Sequence, residues 1–251
     1  MTSPTAEIRL EVRRQDGPGA RARWEEFLVP GTPGMNVISC LRWIQANPVD
    51  SGGRPTTPVA WDCNCLEEVC GACSMLINGR ARQACTALVD ELQQPVRLEP
   101  LSKFPLVRVL VVDRAVLFEH LKRILGWISI DGLHDVGPGP RVPEKQRRFG
   151  YRLSGCMTCG SCVEACPQVS ARTRFMGPAA LAQAVYFNLS PLGRIDAEER
   201  LEAVMGEGGI SQCANAQNCD NACPRGVPLT TAIARLNRAT SWHLVREWLA
   251  R

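Results

Sequence analysis

Apolar and charged residues alternate at the start of the chain. Ile8, Leu10 and Val12 fall on one side, and Arg9, Glu11 and Arg13 on the other, the two-residue period of a half-buried strand. The Gln15-Asp-Gly-Pro-Gly19 run is turn chemistry, and 24–29 reads as the returning strand. The period then lengthens. Val37, Ile38, Leu41 and Ile44 form a helical stripe behind Asn36, a residue suited to capping. A cysteine-rich loop follows, then a strand at 74–77, an Asn78-Gly79 turn and a last strand at 96–98. A proline-punctuated stretch from Pro95 to Pro105 closes this part, and the pattern turns helical. Val116, Leu117, His120, Leu121 and Ile124 share a face, and helices are predicted at 179–189, 197–205, 229–237 and 242–249. The Gly-Pro-Gly-Pro run at 137–140, with Pro143, predicts a stiff loop.

Bulk composition narrows the class. An apolar fraction of 45% over 251 residues is ample for a packed core. No stretch approaches the length of apolar sequence that spans a bilayer, and residues 1–9 lack a charged-then-apolar leader or twin arginine, so export is not expected. The net charge of +4 is mild and its basic residues are scattered, which gives nucleic-acid binding little support. His120, His134 and His243 are isolated from any nucleophile or acid motif, and no glycine-rich loop opens a nucleotide-binding helix. No catalytic residue is therefore expected.

The chemistry lies in the cysteines. Eleven of the 13 fall into three spaced groups. Cys65, Cys70, Cys73 and Cys85 have the spacing of a plant-type [2Fe–2S] site. Cys156, Cys159, Cys162 and Cys166 with Pro167 form the bacterial CxxCxxCxxxCP run, and Cys213, Cys219 and Cys223 with Pro224 repeat it with Ala216 in the second place. In two-cluster ferredoxins the last cysteine of each run serves the other cluster. On that rule Cys156, Cys159, Cys162 and Cys223 hold a [4Fe–4S] cluster. Cys166, Cys213 and Cys219 are left with three thiolates, which suits a [3Fe–4S] cluster. A four-iron cluster with water or Asp220 at the open corner is the competing reading there. Zinc is the alternative for any cysteine-rich loop, although zinc ribbons pair two CxxC knuckles. Gly71, Gly155 and Gly160 sit beside ligands, where the backbone must come close. Cys40 is expected to be core packing on its helix, and Cys63 a bystander two residues from Cys65.

The expected fold class is α+β: an N-terminal β-grasp domain of the plant-type ferredoxin kind over 1–105, then an all-α ferredoxin-like domain over 106–251. The order of the three groups resembles the iron–sulfur subunit of succinate dehydrogenase and fumarate reductase over nearly the whole chain. Trp61-Asp62, the Cys65-Leu-Glu-Glu-Val-Cys70-Gly-Ala-Cys73 run, Phe104-Pro105 and Phe175-Met-Gly-Pro-Ala179 share in it. The 137–140 run and Pro228-Leu-Thr-Thr231 look most like the menaquinone-linked subunits of Gram-positive bacteria. The resemblance implies a peripheral subunit at the cytoplasmic face of the cell membrane, between an FAD-containing flavoprotein and a cytochrome b type membrane anchor. It implies that electrons from succinate oxidation pass through the three clusters to quinone, with fumarate reduction as the reverse alternative. Ubiquinone-reducing relatives carry a tryptophan shortly after the first Cys-Pro and a histidine after the first cysteine of the last run. This chain has the stretch from Gln168 to Ala171 and Ala214 there, which implies a menaquinone site formed mainly by the anchor. The closing helix, with Trp242, Leu244, Val245, Trp248 and Leu249, is a candidate docking element, with packing on its own domain as the alternative.

Overall fold

The computed structural model describes residues 7–129 and 140–250. His134 and all but the last residue of the 137–140 run lie outside them. The chain divides into two compact units, Met1–Arg114 and Ala115–Arg251.

The first unit is a mixed sheet folded over one helix. The strands are β1 (Glu7–Arg14), β2 (Arg23–Pro30), β3 (Ser74–Ile77), β4 (Arg80–Gln83) and β5 (Val96–Glu99), in the order β2-β1-β5-β3-β4. β1 runs antiparallel to β2, with Leu10 opposite Phe27, and parallel to β5, with Leu10 opposite Val96. The alternation of β1 does what it predicts: Ile8, Leu10 and Val12 are buried. Helix α1 (Val37–Ala46) adds Val37, Ile38, Cys40, Leu41 and Ile44 to the same core. Each such apolar side chain contributes about 1.5–3 kcal/mol on burial. Asn36 caps α1 by accepting the Ser39 N–H at 2.9 Å, while its amide donates to the Cys85 carbonyl at 2.8 Å. One side chain therefore starts the helix and fixes a cysteine loop.

The hairpin β6 (Leu106–Arg108) and β7 (Val111–Val112) lies within the compact unit that ends at Arg114. Val109 N–H donates to the Gln15 carbonyl at 2.7 Å and Leu110 N–H to that of Ala60 at 3.1 Å, and both side chains join the first core. Their backbone bonds, not their sequence pattern, assign them to the first unit.

The second unit is helical: α2 (Ala115–Arg123), α3 (Glu144–Ser154), α4 (Ser161–Glu164), α5 (Gly177–Leu189), α6 (Ala197–Met205), α7 (Asn218–Ala222) and α8 (Leu229–Leu249). Two predictions need correction. The helices expected at 229–237 and 242–249 are one helix, α8, because Thr240 is buried and its hydroxyl, like that of Ser241, donates back to the Asn237 carbonyl at 2.9 Å. Val116 is exposed, so on α2 only Leu117 of the predicted stripe is buried, with Ile124 just beyond the helix. Arg200, on α6, is fully buried. It donates to the carbonyls of Leu125, Trp127 and Gly193 and to the Asn188 side chain.

Candidate cluster-binding sites

The first cysteine loop curls because Leu66, Glu68 and Gly71 take left-handed conformations, with φ of 64°, 57° and 70°. Alternating hands turn successive N–H groups inward, a concavity suited to an anion. The N–H groups of Val69 and Cys70 both donate to Cys65 Sγ at 3.3 Å, and those of Cys65 and Ala72 to Cys70 Sγ at 3.5 and 3.4 Å. N–H donors of Glu67 and Val69 lower the Cys65 thiol to about 7. Cys73 and Cys85 form a second, buried pair: Ala84 N–H binds the Cys73 carbonyl at 3.1 Å, and burial with the neighbouring Cys85 pushes the Cys73 thiol up to about 12. Cys65 thus interacts with Cys70, and Cys73 with Cys85. Arg114 ties the loop down by donating to the Gly71 and Ala72 carbonyls.

The two bacterial-type runs share one backbone design. In the first, Thr158 and Gly160 are left-handed, with φ of 53° and 87°, and flank Cys159. In the second, Asn215 and Gln217 are left-handed, with φ of 54° and 62°, and flank Ala216. Each loop then enters a short helix, α4 or α7. Ala216 thus occupies the position of Cys159 in an otherwise equivalent loop. Gly155 has an ordinary helical φ of −67°, so its role differs from that of Gly160.

Cysteines from the two runs approach one another. Burial raises the Cys156 thiol, and the charges of Cys159 and Cys223 add to it. Burial raises Cys162 further, with Cys159, Cys156 and Cys223 contributing. Cys219 is pushed to about 11 by burial and Asp220, and it also feels Cys166. Cys166, Cys213 and Cys219 line one cavity together with Ala216, walled by Phe175, Pro178 and Ile233. Asp220 does not turn to that cavity as a spare ligand, because its carboxylate accepts the N–H of Thr230 at 3.1 Å and the Thr230 hydroxyl. Ala214 and Gln168 also line the cavity.

Sequence reasoning did not single out Ser161 or Gln83. The Cys159 thiol lies 3.4 Å from the buried Ser161 hydroxyl, and Cys73 Sγ lies 3.8 Å from Gln83 Oε1. Aligning the two runs on each other would have exposed the matching Thr158 and Asn215, since asparagine tolerates the left-handed region. Cys40 is buried and its thiol is pushed up to about 11, as expected of packing, and Cys63 is exposed.

The donor set also bears on zinc. Bonds of about 2.3 Å to a tetrahedral zinc would hold four sulfurs within about 3.8 Å of one another. Among the described residues, the three potential ligand atoms gathered within 4.8 Å are those of Glu202, His243 and Glu247, not cysteine sulfurs.

Comparison with known proteins agrees with this geometry. Residues 9–119 match the 2Fe-2S iron-sulfur cluster binding domain, and residues 152–227 the 4Fe-4S dicluster domain. The succinate dehydrogenase iron-sulfur subunit of Bacillus subtilis is 55% identical over 96% of this chain and 95% of its own length. The chain belongs to the succinate dehydrogenase and fumarate reductase iron–sulfur subunit family. A fumarate reductase iron-sulfur subunit of Mycobacterium tuberculosis is 32% identical, over 90% of this chain and 89% of that one. The higher identity favours the succinate dehydrogenase branch of the family. A chain of the Mycobacterium smegmatis Sdh1 complex in the apo form, 24% identical, shares the fold with a TM-score of 0.77, over 94% of this chain and 96% of that one. The family places this subunit within an oxidoreductase, and its two domains are those of [2Fe–2S] and [4Fe–4S] proteins.

Proposed function

We propose that this chain is the electron-transfer subunit of a succinate:quinone oxidoreductase, carrying three clusters in series. Cys65, Cys70, Cys73 and Cys85 would hold the [2Fe–2S] cluster. Cys156, Cys159, Cys162 and Cys223 would hold the [4Fe–4S] cluster, and Cys166, Cys213 and Cys219 the [3Fe–4S] cluster. When bound, the clusters supply one-electron relay between the FAD of a flavoprotein partner and a quinone, menaquinone by the sequence departures noted above, at a membrane anchor.

The observation that carries the terminal assignment is Ala216, which sits where Cys159 sits in a loop of the same hand. A site built for four thiolates therefore lacks one, while Asp220, the nearest substitute, is committed to Thr230. The chain's own residues do the rest. The left-handed turns direct N–H groups toward sulfur, and Phe175, Pro178 and Ile233 give the terminal site an apolar wall on one side. No described helix is long and apolar enough to cross a membrane. The peripheral place at the cytoplasmic face thus rests on partners rather than on a span of this chain.

Iron and acid-labile sulfide analysis of the native complex tests the proposal, together with electron paramagnetic resonance. One cluster of each kind per chain is expected, with the three-iron signal in the oxidised state and the other two after reduction. Zinc in place of iron, or iron sufficient for only one cluster, overturns it.

A further inference from the structure

We propose that Glu202, His243 and Glu247 form a zinc site that staples the end of α8 to α6, separate from the cysteine sites. The His243 side chain is only 11% exposed, and its Nε2 is buried without a hydrogen-bond partner. That nitrogen lies 3.4 Å from Glu247 Oε1, one helical turn on. A tetrahedral ion with bonds of about 2.0–2.1 Å to nitrogen and oxygen sets its donors about 3.4 Å apart. The observed spacing is thus the edge of such a tetrahedron. Glu202 comes from a different helix, and its carboxylate completes a set of three ligand atoms within 4.8 Å of one another. Among the described residues, no arginine or lysine forms a salt bridge with either glutamate. Two exposed carboxylates thus converge on a half-buried imidazole, a donor set that a cation can bridge.

The donor chemistry selects the ion. One imidazole with two carboxylates suits zinc, whereas calcium and magnesium take six or more oxygens and copper(I) favours sulfur. Three protein ligands leave the fourth position to water. The staple has a structural purpose. The buried residues of α8 end at Thr240, and beyond it Trp242, Leu244, Val245, Trp248 and Leu249 are exposed. His243 and Glu247 bring this end of α8 within 4.8 Å of Glu202 on α6.

The test titrates Zn²⁺ into the assembled, cluster-loaded complex against a fluorescent zinc indicator, for the parent and for His243→Ala and Glu202→Gln. The parent is expected to take up one more tight equivalent than either variant, with unchanged cluster signals in electron paramagnetic resonance. Hydrogen exchange of the last α8 amides should slow on adding Zn²⁺ to the parent alone. Equal zinc uptake by all three proteins, the result if a protonated imidazole simply bridges the carboxylates, overturns the proposal.

Discussion

Replacing Arg200 by methionine removes a buried charge and keeps most of the side-chain volume. Five hydrogen bonds disappear. Nε and Nη2 both serve the Leu125 carbonyl, at 3.1 and 3.0 Å, Nη2 also serves that of Trp127 at 3.3 Å, and Nη1 serves the Gly193 carbonyl at 2.9 Å and the Asn188 side chain. Breaking a buried charged network from one side costs about 3–5 kcal/mol, because the Gly193 and Trp127 carbonyls and the Asn188 side chain lose this donor and Asp196 loses its cation, while the Leu125 carbonyl keeps the Trp127 N–H. At about 2–4 °C per kcal/mol for a chain of this size, a loss near 4 kcal/mol lowers the melting temperature by about 8–16 °C. Calorimetry on anaerobic, cluster-loaded protein at one fixed scan rate measures this. Arg200→Lys retains the charge but not the fork, and it should lose roughly half as much. A methionine variant melting within about 2 °C of the parent would show that the network contributes nothing beyond packing.

Ala216→Cys restores the missing thiolate in a loop already shaped for it. The oxidised three-iron signal should vanish in favour of a four-iron signal on reduction, and an unchanged oxidised spectrum refutes the assignment. Cys70→Ala should abolish the two-iron signal and stop reduction of the other clusters by succinate, with wild-type kinetics counting against the proposed route. In cluster-free chain at pH 7.5, iodoacetamide should label Cys65 well before Cys73. The Cys65 thiolate fraction grows as pH rises through about 7, while Cys73 stays protonated until about 12; mass spectrometry showing equal labelling would contradict this. Asn36→Ala should cost about 1–2 kcal/mol in urea unfolding followed at the two-iron absorbance, since it removes a helix cap and the tether to Cys85.

The cysteine spacings and the alternation of β1 made the two-part fold and the ligand candidates readable, because ligand geometry and burial leave periodic marks. Elsewhere the marks are faint. β4 is Arg-Ala-Arg-Gln, which forms by pairing with β3 rather than by its own preference. α3 buries only Phe149 and Leu153 among charged neighbours, too few for a stripe. The Arg-Ala-Thr-Ser stretch at 238–241 reads as a break, yet it continues α8 because Thr240 faces the core. Arg200 was illegible for a related reason: on a helix surface an arginine signals solvent, and only the convergence of distant carbonyls turns it inward. The shared hand of the Thr158 and Asn215 loops is likewise a backbone property that composition does not record.

The crossing of the two cysteine runs, with Cys223 beside Cys156 and Cys162 and Cys166 beside Cys219, has a consequence for biogenesis. Each metal centre would draw its donors from both cysteine runs, so loading one closes a long stretch of chain and brings the other's donors together. The two would fill and empty as a pair. Half-loaded forms should therefore be scarce, and iron starvation should leave a mixture of complete and unfolded helical units rather than a graded series.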